Sequence, residues 1–166
     1  MTAPEEPRVR VRPATADDAR LLLDWRNDPE ARSRSRSSEV IAFADHLAWL
    51  QGTLASPDRH LLVVEDAGAV PVATTRYDRL PPAGSGHWEV SISVAPGSRG
   101  RGVGGAALRA SDEWLGAREP GAAAVVAHVR PDNAGSLRLF LRCGYREAAS
   151  DEPGMLRFVR VRPGPR

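Results

Sequence analysis

The 166-residue chain contains no lysine, so its 23 basic residues are all arginine, set against 21 acidic ones for a formal net charge of +2. This excludes a P-loop of the usual G-x-x-x-x-G-K-[ST] form, in which lysine reaches the terminal phosphates. The small positive excess forms no basic stripe and argues only weakly for an anionic ligand. With Cys143 as the single cysteine, an internal disulfide is excluded and a reducing compartment is expected. No apolar run approaches the roughly 18 residues of a membrane span, and the opening MTAPEEPRVR lacks the basic-then-apolar order of a signal peptide. The expectation is a cytoplasmic protein with no membrane association and no metal site.

A hydrophobic content of 42% is enough to build one core. A single domain is expected over residues 8–161, with loose tails at 1–7 and 162–166. Arg8–Arg12 alternates valine and arginine as a strand, and Thr15 to Asp18 fits a capping box opening a helix that Asp28-Pro29 interrupts near Asn27. SRSRSS, residues 33–38, reads as a polar loop. Phe43, Leu47, Leu50 and Leu54 mark a second helix ending at Ser56-Pro57. Strands are expected at His60–Glu65 and Val70–Leu80, joined by a turn at Ala67-Gly68, and the loop Pro81–Gly86 follows. His87–Val94 alternates strictly, with Trp88, Val90, Ile92 and Val94 on one face and His87, Glu89, Ser91 and Ser93 on the other. A third helix is expected through Val103, Ala107, Ala110 and Trp114 to Gly116. Strand Ala123–Val129, a last helix through Leu137 and Phe140 closed by Gly144, and strands Tyr145–Ala149 and Met155–Val161 complete the reading.

The stretch VAPGSRGRGVGGAAL, Val94–Leu108, joins a strand to a helix with five glycines and two arginines. A helix N-terminus leaves backbone N–H groups unpaired and carries a partial positive charge. Glycines at 100, 102 and 104 let that backbone approach a phosphate, and Arg99 and Arg101 add donors. A glycine-rich turn without a ligand is the plain alternative. Gly102 to Ala107 also matches the dinucleotide pattern G-x-G-x-x-A, but the preceding strand alternates, and Glu119 and Asp132 are poorly placed to serve as its acidic partner.

Arg99-x-x-Gly102-x-Gly104 resembles the [RQ]-x-x-G-x-[GA] loop of the GNAT acyltransferases. PDNAGSLRLFLRCGY, Pro131–Tyr145, is similar to that family's N-x-x-[AS] helix with its following G-[FY]. LLLDWRNDPEARSRS and HLAWL are similar to nucleotide-sugar N-acetyltransferases of the pseudaminic acid pathway. The resemblance implies an α/β (α+β) fold: a mixed, mostly antiparallel sheet of six to seven strands flanked by about four helices. It implies acetyl-CoA as cosubstrate, its pyrophosphate on Arg99, Gly100, Arg101, Gly102, Val103 and Gly104. Its pantetheine arm would lie along Ile92, Ser93 and Val94, near Asn133, Ser136 and Phe140, although Asn133 can equally be a simple helix cap.

Acyl transfer from a thioester to an amine needs a neutral amine, a polarised carbonyl and a proton for the departing thiolate. Glu89 is the candidate base, its alternative being a solvated strand carboxylate. Phe140 stands where many members of the family carry a proton-donating tyrosine, which leaves Tyr77 and Tyr145 as substitutes. The acceptor side is expected to draw on Trp25, Arg26, Asn27, His46, Trp49 and Tyr77, the tryptophans suiting a sugar or nucleobase and arginine a diphosphate. Both tryptophans can instead fill core, and Arg26 can cap its helix. Arg32, Arg34 and Arg36 form a solvated run or meet nucleotide phosphates, while RNA binding is disfavoured because no aromatic platform interleaves them. The favoured expectation is acetylation of a small-molecule amine, an amino sugar on a nucleotide, with no nucleic-acid partner and a homodimer left open. The alternatives are acetylation of a protein N-terminus and a non-catalytic acyl-CoA-binding protein.

Overall fold

A computed structural model describes residues 4–164. Its regular elements are β1 (Val9–Pro13), α1 (Ala19–Asn27), α2 (Pro29–Arg34), α3 (Phe43–Ala55), β2 (Arg59–Asp66), β3 (Pro71–Arg79), β4 (His87–Val94), α4 (Val103–Arg118), β5 (Ala124–Val129), α5 (Ala134–Arg142), β6 (Arg146–Ala148) and β7 (Leu156–Val161). The strands form one seven-stranded sheet in the order β1-β2-β3-β4-β5-β7-β6. All neighbours run antiparallel except β4 and β5. This is the mixed, mostly antiparallel architecture expected from the sequence.

The parallel pair decides where a site can form. β4 meets β5 only over His87–Glu89, opposite Ala124–Val126. Beyond that rung β4 stays with β3 as far as Val94 opposite Ala73, while β5 stays with β7 as far as Val129 opposite Leu156. The two strands therefore part, and Val90–Val94 keeps one edge without a strand partner.

Side-chain alternation assigns the two faces of the sheet. Leu62, Tyr77, Trp88, Val90, Val125 and Phe158 pack on one face beneath Leu108 and Leu115 of α4 and Phe140 of α5. On the other face Leu61 and Val63 lie under Leu22 and Trp25 of α1 and Leu50 of α3. Apolar burial of this kind contributes about 25 cal/mol per Å², and it holds the helices in place. An ionic knot adds direction at the sheet's edge: Arg12 donates to Glu65 at 2.7 Å and to both oxygens of Asp18 at 2.8 and 2.9 Å. The Arg12 guanidinium holds the Asp18 carboxyl below its ordinary range. Asp18 in turn accepts from the backbone N–H of Thr15 at 2.8 Å, the return bond of the expected capping box. The first turn it caps, Ala16–Asp18, is a 3₁₀ turn leading into α1.

Several expectations need correction. The five helices fit the expected count of about four, but Asp28 caps α2 through Ala31 and Pro29 occupies its first turn, so Ser33 and Arg34 are helical rather than loop. α4 does not stop at Gly116 but runs to Arg118. Gly116 is a packing position: a Cβ there would collide with the Arg162 guanidinium, which donates to the Asp112 carbonyl at 2.6 Å. That bond also removes Arg162 from the loose C-terminal tail. At the other end, Glu6 accepts from Arg109 Nε at 2.8 Å and Pro7 lies against Gly102, so this part of the 1–7 tail is tied down. Residues 1–3 and 165–166 of the expected tails lie outside the described residues. Among the described residues no helix is long and apolar enough to cross a membrane.

Candidate active site

The glycine loop reaches α4 with Gly100 at φ 73° and Gly102 at φ 75°. L-residues with a Cβ resist that left-handed conformation. Gly102 is the N-cap and has no side chain to offer, so no side chain caps the first turn of this 16-residue helix. Gly100, two residues before the cap, faces open space, while Pro7 lies against Gly102 itself; with the free edge Ile92–Val94 this turn fits an extended ligand that ends in phosphates. Val103 is buried in the helix's apolar stripe, so only its backbone is available to a ligand.

Two expected donors are placed otherwise. Gly104 does not clear a path for phosphate: a Cβ on it would lie 3.0 Å from Leu139 and 3.5 Å from Val94, so it serves the packing of α4 against α5 and β4. Arg99 donates to Asp28 at 2.9 Å and to Glu30, which commits its guanidinium to α2. Arg101 is exposed and has no partner among the described residues.

At the rung of Glu89 and Val126, a cleft of about 330 Å³ opens over the sheet, lined by Leu80, Glu89, Val126, His128, Asp151, Glu152 and Arg157. Glu89 projects into it from β4. Its Oε2 lies 3.0 Å from His128 Nδ1, and its Oε1 accepts from Arg36 at 3.3 Å. His128 Nε2 lies 2.9 Å from Asp151, whose carboxyl this contact holds below its ordinary range. Arg36 also donates to both oxygens of Glu152, at 3.0 and 2.9 Å, and so spans the mouth of the cleft. The arrangement offers a half-buried carboxylate at the floor, backed by an imidazole, with further carboxylates at the rim.

Most of the expected acceptor residues lie elsewhere. Trp25 is buried core under α1. His46 is buried and rests on Trp49 at 5.5 Å between ring centroids, and burial pushes its pKa down. Asn27 spends both ends of its amide on Ile41, at 2.9 Å each, and so anchors the segment before α3. Arg26 donates to the Ser37 carbonyl at 2.9 Å, and burial with nearby Arg32 lowers its pKa. Trp49 alone presents a ring to solvent, with Arg76 above it.

The tyrosine substitutes fail for one reason. Tyr77 and Tyr145 are fully buried and donate to Asp112 of α4 at 2.6 and 2.9 Å, on the face opposite Glu89. Burial drives both phenols far above their ordinary pKa. Phe140 packs between Tyr145 and Phe158 as core. Asn133 caps α5, its Oδ1 accepting from the Ser136 backbone N–H at 3.2 Å, which is the capping alternative stated for Asn133.

Sequence reasoning missed His128, Asp151 and Glu152. The signal for His128 was a polar residue interrupting the apolar run of β5, two positions beyond the residue opposite Glu89 and hence on the same face. Asp151 and Glu152 sit in the loop before β7 and carry no comparable local signal.

The fold has counterparts in solved structures. Spermidine N-acetyltransferase from Vibrio cholerae, in complex with CoA and spermine, superposes with a TM-score of 0.80 at 15% identity over 92% of this chain and 95% of that one. The aminoglycoside acetyltransferase AAC(6')-Ib in complex with coenzyme A gives 0.80 at 18% identity, over 93% and 95%. The GNAT domain of S. lividans PAT gives 0.76 at 28% identity, over 92% and 90%. No curated protein matches the sequence. The family model described as the acetyltransferase (GNAT) domain matches residues 8–146, and with that match the chain belongs to the GNAT acetyltransferases.

Proposed function

We propose that the chain is an acetyl-CoA-dependent N-acetyltransferase whose acceptor, a primary amine on a small cationic molecule, enters the cleft beside Glu89. The observation that carries this reading is the parting of β4 from β5 immediately past Glu89. It frees strand backbone at Ile92, Ser93 and Val94 on a line between the bare start of α4 and the carboxylate. Bound along that line, acetyl-CoA supplies an activated thioester. The chain's own groups do the rest: backbone N–H groups of the Gly100–Val103 turn and Arg101 bind phosphate, and Glu89 takes the proton that the amine must lose.

The rim favours a cationic acceptor over an amino sugar on a nucleotide. Asp151 and Glu152 join Glu89 around the opening, whereas Arg26 is spent on Ser37, Arg32 on Asn27 and Ser38, and Arg36 on Glu152 and Glu89. Arg26 keeps Nη1 and Arg157, which lines the cleft, keeps Nε without a partner among the described residues, so a diphosphate would find those two donors and would have to break bonds for any others. Spermine and aminoglycosides, the amines named with the structural neighbours, are polycations. An acceptor screen read by release of free thiol tests the proposal. Turnover on polyamines or aminoglycosides above that on nucleotide amino sugars and peptide N-termini is expected, and thiol release with none of them would leave the non-catalytic alternative. Independently, Arg101→Glu should weaken acetyl-CoA binding about tenfold, roughly 1.4 kcal/mol, by removing one charge-assisted contact and adding a like charge. Equal thermal stabilisation of wild type and variant by acetyl-CoA would remove Arg101 from the site.

A further inference from the structure

Arg36 lies beyond α2, on a stretch from Ser35 to Ala42 that belongs to no helix or strand. Residues 36–40 are all exposed, and Arg26 and Arg32 hold them by donating to the carbonyls of Ser37 and Ser38. From this strap the Arg36 guanidinium reaches the mouth of the cleft. Its Nε and Nη2 donate to the two oxygens of Glu152 at 3.0 and 2.9 Å, and Nη2 donates again to Glu89 Oε1 at 3.3 Å. One nitrogen therefore serves both carboxylates. The Arg36 side chain is 51% exposed and that of Glu89 only 16%, while the other oxygen of Glu89 faces the buried His128 on β5. Of the two partners of Glu89, Arg36 is the one that can leave. Asp151 adds a third carboxylate to the cleft, and Arg157 of β7 is the arginine in its lining.

An amine that is to meet Glu89 finds Oε1 already taken by a cation. A primary ammonium has the means to replace it, because it carries the same charge and three N–H donors, two of which can reproduce the bonds of Nη2. We infer that Arg36 Nη2 marks the seat of the acceptor's ammonium nitrogen, with Glu152 as the second carboxylate that grips it and Arg36 as the internal cation it must displace. The seat rests on the cationic-acceptor reading above and adds to it a binding residue, Glu152, and a gatekeeper, Arg36. The exchange swaps one cation for another and changes no covalent bond, so the two carboxylates are not left unpaired at the cleft. The seat discriminates by donors as well as by charge. A quaternary ammonium carries the charge but no N–H and cannot bridge the pair. An N-acetylated amine is an uncharged amide with a single N–H, so Arg36 recovers its place when the product forms.

Calorimetric titration of the full chain with spermine tests the seat, beside tetramethylammonium as a cation without donors. Arg36→Gln removes the competitor and should tighten spermine binding about fivefold. Glu152→Gln removes the second carboxylate and should weaken it about tenfold. Neither side chain belongs to the core, so both variants should fold, and the double variant closes the cycle. If Arg36 and spermine contend for Glu152, Arg36→Gln should gain less than about twofold once Glu152 is gone. Equal gains in both backgrounds would mean that Arg36 acts only through long-range charge, and would overturn the seat. So would weaker spermine binding by Arg36→Gln, tetramethylammonium binding that responds as spermine does, or no spermine binding by wild type or any variant. The seat and the proposed base fail separately. Spermine affinity that follows the cycle while Glu89→Gln keeps full turnover retains the seat and loses the base; an inactive Glu89→Gln beside equal gains in the cycle loses the seat alone.

Discussion

Each face of the sheet holds a carboxylate near its middle, and the two have opposite fates. Glu89 stands where the sheet opens, with His128 and Arg36 for partners. Asp112 stands beneath α4, where Tyr77, Tyr145 and Arg160 donate to it at 2.6, 2.9 and 2.9 Å. Asp112 accepts from two fully buried phenols and from Arg160, none of which has another side-chain partner among the described residues, and so it ties α4 to β3, β7 and the start of β6. Glu89 shares its partners with a cleft, so its bonds can be exchanged for those of a ligand. Chemical type does not separate the structural carboxylate from the one we propose as the base. What separates them is whether the neighbouring strands stay paired.

The largest expected effect breaks the comparison on the open face. Glu89→Gln preserves shape and removes the base, and kcat should fall by about 10²–10⁴ while the melting temperature stays within about 2 °C. A wild-type rate across the pH range would return Glu89 to a solvated strand position. Asp112→Ala is the mirror experiment and the next in size. It leaves two buried hydroxyls without an acceptor, so stability should fall by about 3 kcal/mol, roughly 6–12 °C in a chain of this length. The protein that remains folded should acetylate normally. Calorimetry beside initial rates on both variants reads the contrast, and a rate loss in Asp112→Ala beyond the unfolded fraction would mean that the two faces are coupled.

The two regions also differ in how far the sequence revealed them. The glycine loop is local: its positive-φ turn, bare cap and adjacent strand lie within Val94–Leu108, and one-dimensional spacing finds them. The alternation of His87–Val94 likewise put Glu89 on the face opposite Trp88 and Val90, as observed. The cleft's rim is assembled from Arg36, Glu89, His128, Asp151 and Glu152, far apart in the chain, and no local pattern announces which of many charged residues will meet. The same reason explains the misplaced residues. Trp25, His46 and Tyr77 have apolar bodies with polar tips, and from sequence such residues suit a cleft and a core equally well. Which of the two they join depends on α1, α3 and α4, helices whose packing no short stretch encodes.

The smallest effect sharpens the comparison through pH. Burial raises the Asp112 carboxyl above its ordinary range, outweighing the tyrosine and Arg160 hydrogen bonds that act to lower it. A carboxyl whose pKa is higher in the folded than in the unfolded protein binds more protons when folded, so its contribution is fully present below the ordinary carboxylate range and declines as pH climbs through the raised value. Asp112→Asn keeps an acceptor for the tyrosines but cannot titrate. The stability margin of wild type over Asp112→Asn should therefore be greatest at the acid end, near pH 4, and shrink towards neutrality, with a slope no steeper than about 1.4 kcal/mol per pH unit. Urea unfolding of both proteins across that range measures the margin directly. A margin that instead grows with pH would mean that Arg160 and the two phenols outweigh burial. Asp112 would then be held charged in the folded state, and the contrast with Glu89 would lie in its partners rather than in its surroundings.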